Sequence, residues 1–387
     1  MQYFSRVKLR NWKNFQTVEV NLSERMFLVG PNASGKSNFL DVFRFLRDLA
    51  VPGGGLSRAC EVRGGVSRLR SLHARTPPQI EIEIEISEEN QRMWRYAIGI
   101  TQEGRLPRQG TPRLTHEEVT NLQTTEETIL RRPTPDDEQD PLRMTQTALE
   151  QSFFNREFRS VADFFGGVTY LHIVPQVVRN AGGLALSPEF PDDYGGRFIE
   201  RIAKTPSRSR DARLNRILEA LKSAVPQFER LELRTDTEGD QHLQASYRHW
   251  RATAAYQDET QMSDGTLRLI ALLWALQEGH QPILLEEPEL SLHAHLIRQI
   301  PKLLEKIQQK KSNNRQILIS THSYELLSDE GISGHETLMF APTENGTTVT
   351  LASQKEEISN LLQQGLSVAE VVIPYTAPPE LYQLPLW

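Results

Sequence analysis

The sequence predicts an α/β fold arranged around a phosphate-binding loop, and three observations carry that prediction. First, the apolar run Phe27-Leu28-Val29 breaks at a glycine-bounded stretch from Gly30 to Asn38 and resumes as Phe39, Val42, Phe43 and Leu46 at helical spacing, so strand, loop and helix follow one another. Second, the runs Ile283-Leu284-Leu285 and Ile317-Leu318-Ile319 end in Glu286-Glu287-Pro288-Glu289 and Ser320-Thr321-His322-Ser323. Short buried strands that stop at polar groups belong to a parallel sheet with its chemistry at the C-terminal edge. Third, Gln79 to Ile86 alternates isoleucine with glutamate, the pattern of an antiparallel sheet with one face packed and one in water.

The loop itself fits G-x-x-x-x-G-K-[ST]. Gly30 and Gly35 let the backbone of Pro31, Asn32, Ala33 and Ser34 curl so that its N–H groups face inward around a polyphosphate. The helix that starts near Asn38 adds the positive end of its dipole. Lys36 is placed to bridge the outer phosphates, and the Ser37 hydroxyl to ligate the Mg²⁺ that accompanies them. A chance glycine-rich turn would lack both the strand before it and the helix after it.

Composition narrows the class. The 387 residues suffice for two or three domains or one composite domain, and 38% hydrophobic with 24% charged residues is ordinary for a soluble chain. No apolar run approaches the roughly 18–20 residues that span a bilayer. The polar, charged N-terminus does not read as a secretory signal, and the single cysteine, Cys60, fits a reducing cytoplasm. A net charge of −6 argues against a surface that coats nucleic acid, although arginines cluster at 58, 63, 68, 70 and 75 and again, with Lys204, from Arg197 to Arg216. Each cluster reads as a solvated face or a phosphate-backbone contact.

Along the chain, Tyr3 to Leu9 and Val18 to Leu22 predict a two-strand meander joined by Asn11-Trp12-Lys13-Asn14-Phe15, a turn that either approaches the nucleotide or is a packed hairpin tip. Trp94 to Ile100 should pair with the isoleucine strand. The prolines and the acidic run Asp136 to Asp140 predict a polar insertion or lid over 101–160, with little core of its own. Strand character returns at Val168 to Val174, ending at Pro175-Gln176. Arg213 to Ala224 follows as an amphipathic helix, and Leu231 to Arg234 with Leu243 to Tyr247 as a hairpin. Val371 to Tyr375 and Leu381 to Trp387 are apolar, suited to docking a partner or packing on the body.

One further motif joins these. Gln261-Met262-Ser263-Asp264-Gly265-Thr266-Leu267-Arg268 leads into a helical run, and a serine and glycine there make either an anion site or an ordinary cap. Taken together, Gly30 to Ser37, Ser263 to Arg268, Leu284 to Glu289 and Ser320 to Ser323 resemble the Walker A, signature, Walker B and switch-histidine motifs of ABC-type ATPases. The Leu9 to Phe15 opening and the Glu-Glu-Pro-Glu run are similar to the SMC, RecF and OLD branch.

That resemblance implies a P-loop NTPase head with an antiparallel β subdomain and a helical or inserted region. Its segments would be an N-terminal lobe 1–100, the insertion 101–160, a Q-loop strand with basic helix and hairpin 161–245, a C-terminal lobe 246–345, and an extension 346–387. It also implies ATP and Mg²⁺ as cofactors and an ATP-sandwich homodimer, with higher oligomers open. Lys36 would hold phosphate, Ser37, Glu286 and Gln176 the metal, and Glu287 the attacking water. Ser263 and Gly265 would act across the dimer, His322 on the γ-phosphate, and Gln176 as the Q-loop glutamine. Ser291-Leu292-His293 falls where the D-loop should cross the dimer axis. The usual Asp-Glu pair is Glu286-Glu287 here. The span between the motifs is too short for coiled-coil arms, and too few residues follow His322 for a Toprim nuclease. The expectation is therefore a cytoplasmic ATPase, with no membrane contact, that regulates a separately encoded nuclease or toxin in antiphage or anti-plasmid defence. The alternative is a RecF-like repair ATPase that binds DNA.

Overall fold

A computed structural model describes residues 1–74, 78–103, 110–123, 126–180, 192–222, 225–248, 255–309 and 314–376. Among these the strands are β1 (Gln2–Trp12), β2 (Phe15–Asn21), β3 (Arg25–Val29), β4 (Ile80–Glu88), β5 (Gln91–Glu103), β6 (Thr111–Asn121), β7 (Glu127–Arg132), β8 (Thr169–Leu171), β9 (Phe228–Thr235), β10 (Gln241–Tyr247), β11 (Ala255–Gln257), β12 (Ile283–Glu286), β13 (Ile317–Thr321), β14 (Thr337–Thr343) and β15 (Gly346–Leu351). The chain divides into two compact units, Met1–Thr169 with Gln281–Leu284 and Arg315–Trp387, and Tyr170–His280 with Leu285–Asn314. The stretch 246–345, read from the sequence as one lobe, is thus shared by both.

The first unit holds two six-stranded sheets. One is the antiparallel β2-β1-β4-β5-β6-β7, in which Ile80, Ile82 and Ile84 are fully buried, as the alternation predicts. The other has the order β15-β14-β3-β13-β12-β8, with β13 and β14 both parallel to β3. Strands β12 and β8 enter it through Ile283–Leu284 and Thr169, after which the chain passes into the second unit. The helix α1 (Lys36–Ala50) buries Phe39, Val42, Phe43 and Leu46. The Phe43 ring lies 4.5 Å from that of Phe4, which meets Phe164 edge-on at 4.8 Å. Gln316 ties the sheets together: its amide donates to the carbonyls of Phe4 and Ser23, each at 2.8 Å, and accepts the Phe4 N–H at 2.9 Å. A buried amide with these bonds made fixes register as well as position.

The region 101–160, expected to have little core of its own, has regular elements and a core. It carries the end of β5, all of β6 and β7, the short helix Pro135–Gln139 and the start of the helix Arg159–Gly166. Its core is partly ionic, which the composition concealed. Glu117 is fully buried, accepts from Tyr96 Oη at 3.0 Å, and pairs with Arg132 at 3.1 Å; Arg132 in turn pairs with Asp137 at 3.0 Å. The acidic run reads as solvent-loving, but Asp137 closes a capping box with Thr134 and carries the buried charge that Arg132 needs.

The C-terminal apolar stretch divides likewise. Val371 and Val372 are buried in the helix Val368–Thr376, so this part packs on the body, while Leu381 to Trp387 lie outside the described residues.

In the second unit, the expected hairpin is β9–β10, with Leu233 opposite Leu243 and Leu231 opposite Ala245, extended by β11. The amphipathic helix begins earlier than expected, at Ser207, and buries Leu214, Ile217, Leu218 and Leu221. Several basic residues of this helix and of the preceding helix, Phe198–Lys204, are paired with acids. Arg201 and Arg213 reach Glu278 at 2.8 and 3.9 Å, Arg210 pairs with Asp211, and Lys204 with Glu200. In the N-terminal cluster, Arg63 is drawn into Asp41 and Asp48 at 3.0 and 2.9 Å, Arg58 pairs with Glu61, and Arg75 lies outside the described residues.

Candidate active site

The loop in the first unit has the backbone its glycines predict. Gly35 sits at φ 98° and Ala33 at φ 62°, so the chain turns twice through the left-handed region before α1 begins at Lys36. At Gly30 a Cβ would stand 2.6 Å from the carbonyl oxygen of Phe340, and at Gly35 it would collide with the Asn14 amide. Both positions therefore exclude any side chain. Lys36 is buried and folds back on the loop, donating to the carbonyls of Gly30 at 2.8 Å and Pro31 at 3.1 Å. Asn32, Ala33 and Ser37 are exposed, Pro31 and Asn38 half-buried. The Ser34 hydroxyl is buried and finds no hydrogen-bond partner among the described residues. A curled loop with a buried amine, an unpaired hydroxyl and the N-terminus of a fifteen-residue helix suits a bound polyphosphate.

The hairpin tip is packed, and it also meets the loop. Trp12 and Phe15 are fully buried, and Trp12 Nε1 donates to Asn38 O at 2.8 Å. Asn14 holds the loop directly: its Nδ2 donates to Ser34 O at 3.2 Å and Thr347 Oγ1 at 2.7 Å, and its Oδ1 accepts from Asn38 Nδ2 at 2.8 Å. Lys13 Nζ lies 2.6 Å from Asp41. Burial raises the Asp41 carboxyl, but Arg63, Lys13 and Arg44 outweigh it and bring the pKa to about 2, so α1 carries a fixed anion.

Asn14→Ala should weaken nucleotide binding about tenfold, because an unclamped loop must be ordered at a cost of about 1 kcal/mol when the phosphates arrive. Titration with a fluorescent nucleotide measures this. Unchanged affinity would reduce Asn14 to a packing residue.

His322 also belongs to the first unit. It follows β13, the neighbour of β3, and is exposed, while Ser323 begins the next helix by accepting the Leu326 N–H at 3.3 Å.

The second unit holds the remaining candidates. Glu286 ends β12, half-buried, and accepts a hydrogen bond from Tyr170 Oη; His172 Nδ1 lies 3.4 Å from the Glu286 carbonyl. Glu287 has φ 44°, a left-handed backbone that a glutamate adopts at a cost of about 1–3 kcal/mol, as residues held for a task often do. Ser263 caps the helix Asp264–Ala275, accepting the Thr266 N–H at 3.2 Å, and its side chain is exposed. At Gly265 a Cβ would run into the Ser291 carbonyl, so this glycine is required by the turn at Ser291, itself at φ 62°. Arg179 donates to Met262 O at 2.7 Å and Asp264 Oδ1 at 2.6 Å, fixing the entry to the helix. Desolvation lowers the pKa of Arg268 against the opposing pull of Asp264 and Glu287.

Gln176 corrects the sequence reading: it lies, exposed, in the first turn of the short helix Pro175–Arg179, not at the end of a strand. Pro175 starts a helix there because its missing N–H and fixed φ suit the first helical position. Tyr170, Arg179 and Arg268 were not foreseen as site residues. Tyr170 lay within a recognised strand, but its partner is distant in sequence. Among the described residues no group of three or more His, Cys, Asp or Glu converges as a metal site.

The fold and the loop together define a P-loop nucleotide-binding ATPase head of the α/β class. More particularly, a family model described as "AAA domain, putative AbiEii toxin, Type IV TA system" matches residues 25–328, and the chain belongs to that family. The fold is that of SMC heads. An SmcHead crystallised with the C-winged helix domain of ScpA aligns over 90% of this chain and 97% of its own, with a TM-score of 0.53 and 15% identity. The Smc head domain derived from Pyrococcus furiosus aligns over 94% and 99%, with a TM-score of 0.51 and 14% identity. "Endonuclease GajA" of Bacillus cereus (strain VD045) is 36% identical over 56 residues, 14% of this chain and 10% of that protein's length. Among the described residues no helix is long and apolar enough to cross a membrane.

Proposed function

We propose that the chain binds and hydrolyses ATP, closes as an ATP-sandwich homodimer, and in doing so regulates a separately encoded effector, a nuclease or toxin, in prokaryotic antiphage or anti-plasmid defence. The observation that carries the reading is the loop Gly30 to Ser37, whose two glycines tolerate no side chain and whose lysine is already buried in it. In this reading Lys36 holds the outer phosphates. Ser37 and Glu286, oriented by Tyr170, hold Mg²⁺, which neutralises phosphate charge when bound. Glu287 takes the proton of the attacking water, and His322 donates to the γ-phosphate. Gln176, exposed in its helix, is a further candidate to hold the metal as the Q-loop glutamine.

Support for a defence role comes from the family's description, "AAA domain, putative AbiEii toxin, Type IV TA system", and from the short likeness to an endonuclease. An SMC head that binds ScpA supports a head of this fold that docks a separate chain. The RecF-like alternative loses support where Arg201, Arg210, Arg213 and Lys204 lie beside acids of their own unit. Purifying the Glu287→Gln protein from its native host with ATP, and identifying what co-elutes, tests the choice. A stoichiometric nuclease or toxin supports the regulatory reading, whereas DNA without a protein partner moves it to repair.

Closure has its own test. Ser263→Arg should bind nucleotide as a monomer but fail to dimerise on ATP, because a bulky cation replaces an exposed cap hydroxyl. Light scattering with and without ATP measures it. The lost cap costs about 1 kcal/mol of stability. A variant that dimerises normally would count against the sandwich.

A further inference from the structure

Shortly before Ser263 in the chain, the carboxylate of Glu259 is drawn into the sheet of the second unit. Glu259 is buried; its Oε2 accepts the Leu243 N–H at 2.8 Å, and its Oε1 lies 2.8 Å from His242 Nδ1. The backbone pairing of β11 with β10 ends with Gln257 opposite Ala245, so the carboxylate takes a buried donor that the ladder no longer reaches. The turn that follows is held as closely. Asp258 O accepts from Gln261 N at 3.0 Å and Met262 N at 3.1 Å, Met262 is buried, and Arg179 bonds its carbonyl. Ser263 comes next, so the place of Glu259 bears directly on the place of the Ser263 hydroxyl.

His242, half-buried on β10, stands between two carboxylates. Its Nδ1 faces Glu259, and its Nε2 lies 3.3 Å from Asp236 Oδ2, while Asp236 Oδ1 accepts the N–H groups of Glu238 and Asp240, each at 2.9 Å. Ionised carboxylates only accept, so both contacts are hydrogen bonds only when both ring nitrogens carry hydrogen. The hydrogen bond to Glu259, with Asp236 adding to it, raises the His242 pKa above the ordinary imidazole value against partial burial. The other charges about β10 are largely paired among themselves. Arg234, opposite His242 on β9, binds Glu232 at 2.7 Å and lies over the Tyr256 ring, and Glu229, further along β9 beside Arg230, binds Arg248. Asp258 accepts the Thr260 N–H at 2.9 Å, and Glu238 and Asp240 are exposed in the turn. The helix Phe198–Lys204 packs on β10 with Arg201 bound to Glu278 and Lys204 to Glu200.

We propose that His242 and Glu259 are positioning residues for Ser263, a clamp that holds the start of the helix Asp264–Ala275 where closure across the dimer needs it; this rests on the reading of Ser263 given above. The clamp does not act on the phosphate loop, which belongs to the first unit. As an imidazolium, His242 bridges Asp236 and Glu259. Neutral, the ring donates to only one of them and turns a lone pair toward the other. A histidine whose pKa is raised in the folded chain contributes fully below its ordinary value of about 6.5, and the contribution is lost as pH rises through the raised value. Closure on ATP should therefore weaken from about pH 6 to about pH 9.

Light scattering of the full chain with ATP over that range tests the role. Wild type should lose about tenfold in dimer affinity toward the alkaline end. His242→Gln should be about tenfold weaker than wild type at about pH 6 and should lack the slope, whereas His242→Arg, charged throughout, should close tightly across the range. Nucleotide affinity of the monomer should be the same in all three. Hydrogen exchange without nucleotide reads the clamp itself: at about pH 6, amides of residues 259–267 should exchange about tenfold faster in His242→Gln and at the wild-type rate in His242→Arg, while those of α1 do not change. A Gln variant with wild-type exchange, or with the wild-type slope in closure, overturns the proposal. The two failures are distinguishable. Ser263→Arg dimerising normally removes the sandwich and the positioning role with it, whereas unchanged exchange in His242→Gln removes the clamp alone.

Discussion

Lys36→Ala should lose nucleotide affinity by about 100- to 1,000-fold, or about 3–4 kcal/mol, and with it all ATP-dependent dimerisation. Lys36 is 6% exposed, and its amine is held between the carbonyls of Gly30 and Pro31 at 2.8 and 3.1 Å. The cost of bringing this charge out of water is therefore met in the fold itself, before any phosphate arrives. A triphosphate would replace two neutral acceptors with anionic oxygens, and charge-assisted bonds are about twice as strong as neutral ones. Removing the amine forfeits that gain and leaves the loop without its only buried cation against the triphosphate's charge. It also leaves two carbonyls without this donor, for a stability loss of about 1 kcal/mol. Calorimetric titration with a nonhydrolysable ATP analogue separates the effects when paired with denaturant unfolding. An affinity within about threefold of wild type, with a normally folded variant, would remove Lys36 from the phosphate site. Lys36→Arg keeps the charge but not the compact ammonium, and should recover little of the binding.

What could be read from the sequence was whatever is encoded locally. Strand β3, the loop and α1 follow one another without a break, and each carries its own signal: an apolar run, two glycines, a helical period. The alternation of β4 likewise states which face is buried. The region 101–160 was misread because its stability comes from pairs distant in sequence. Arg132 and Glu117 look like surface residues until β6 and β7 set them side by side and Asp137 closes the network. The arginines from 197 to 216 look like a free patch for the same reason, since Glu278 enters from the end of another helix. Around the candidate site, the motifs could be read from the sequence, but the residues that hold them could not. Asn14 behind Gly35, Tyr170 on Glu286 and Arg179 on Asp264 are separated from their partners by tens of residues, and no periodicity records such contacts. Gly265 reads from the sequence as a nucleotide-binding residue of the signature motif, and the structure adds a packing reason for it: a Cβ there would meet the Ser291 carbonyl.

Glu287→Gln should bind ATP as tightly as wild type, dimerise on it, and turn over about 100- to 10,000-fold more slowly, the range expected when a general base is removed. The substitution keeps shape and hydrogen-bonding reach while removing the negative charge and the ability to accept the proton of the attacking water. Position 287 differs from Glu286 in a way that favours this assignment. Glu286 lies in the extended end of β12 and its carboxylate already accepts from Tyr170, which orients it as a ligand would be oriented. Glu287 sits one residue on at φ 44°, where the chain leaves the strand and turns the next side chain in a new direction. A left-handed glutamate is kept only where the surroundings over-determine it. The Glu287 charge favours the charged form of Arg268, so the Gln variant also removes an attraction within the same unit. That gives the prediction a second readout: Glu287→Gln should change the chemical shift of the Arg268 side chain, whereas Glu286→Gln should change metal dependence instead. Single-turnover hydrolysis measured beside equilibrium binding separates chemistry from affinity. If Glu287→Gln hydrolyses ATP at the wild-type rate while Glu286→Gln does not, the two glutamates exchange roles, and the longer side chain at 286 is the one that reaches the water.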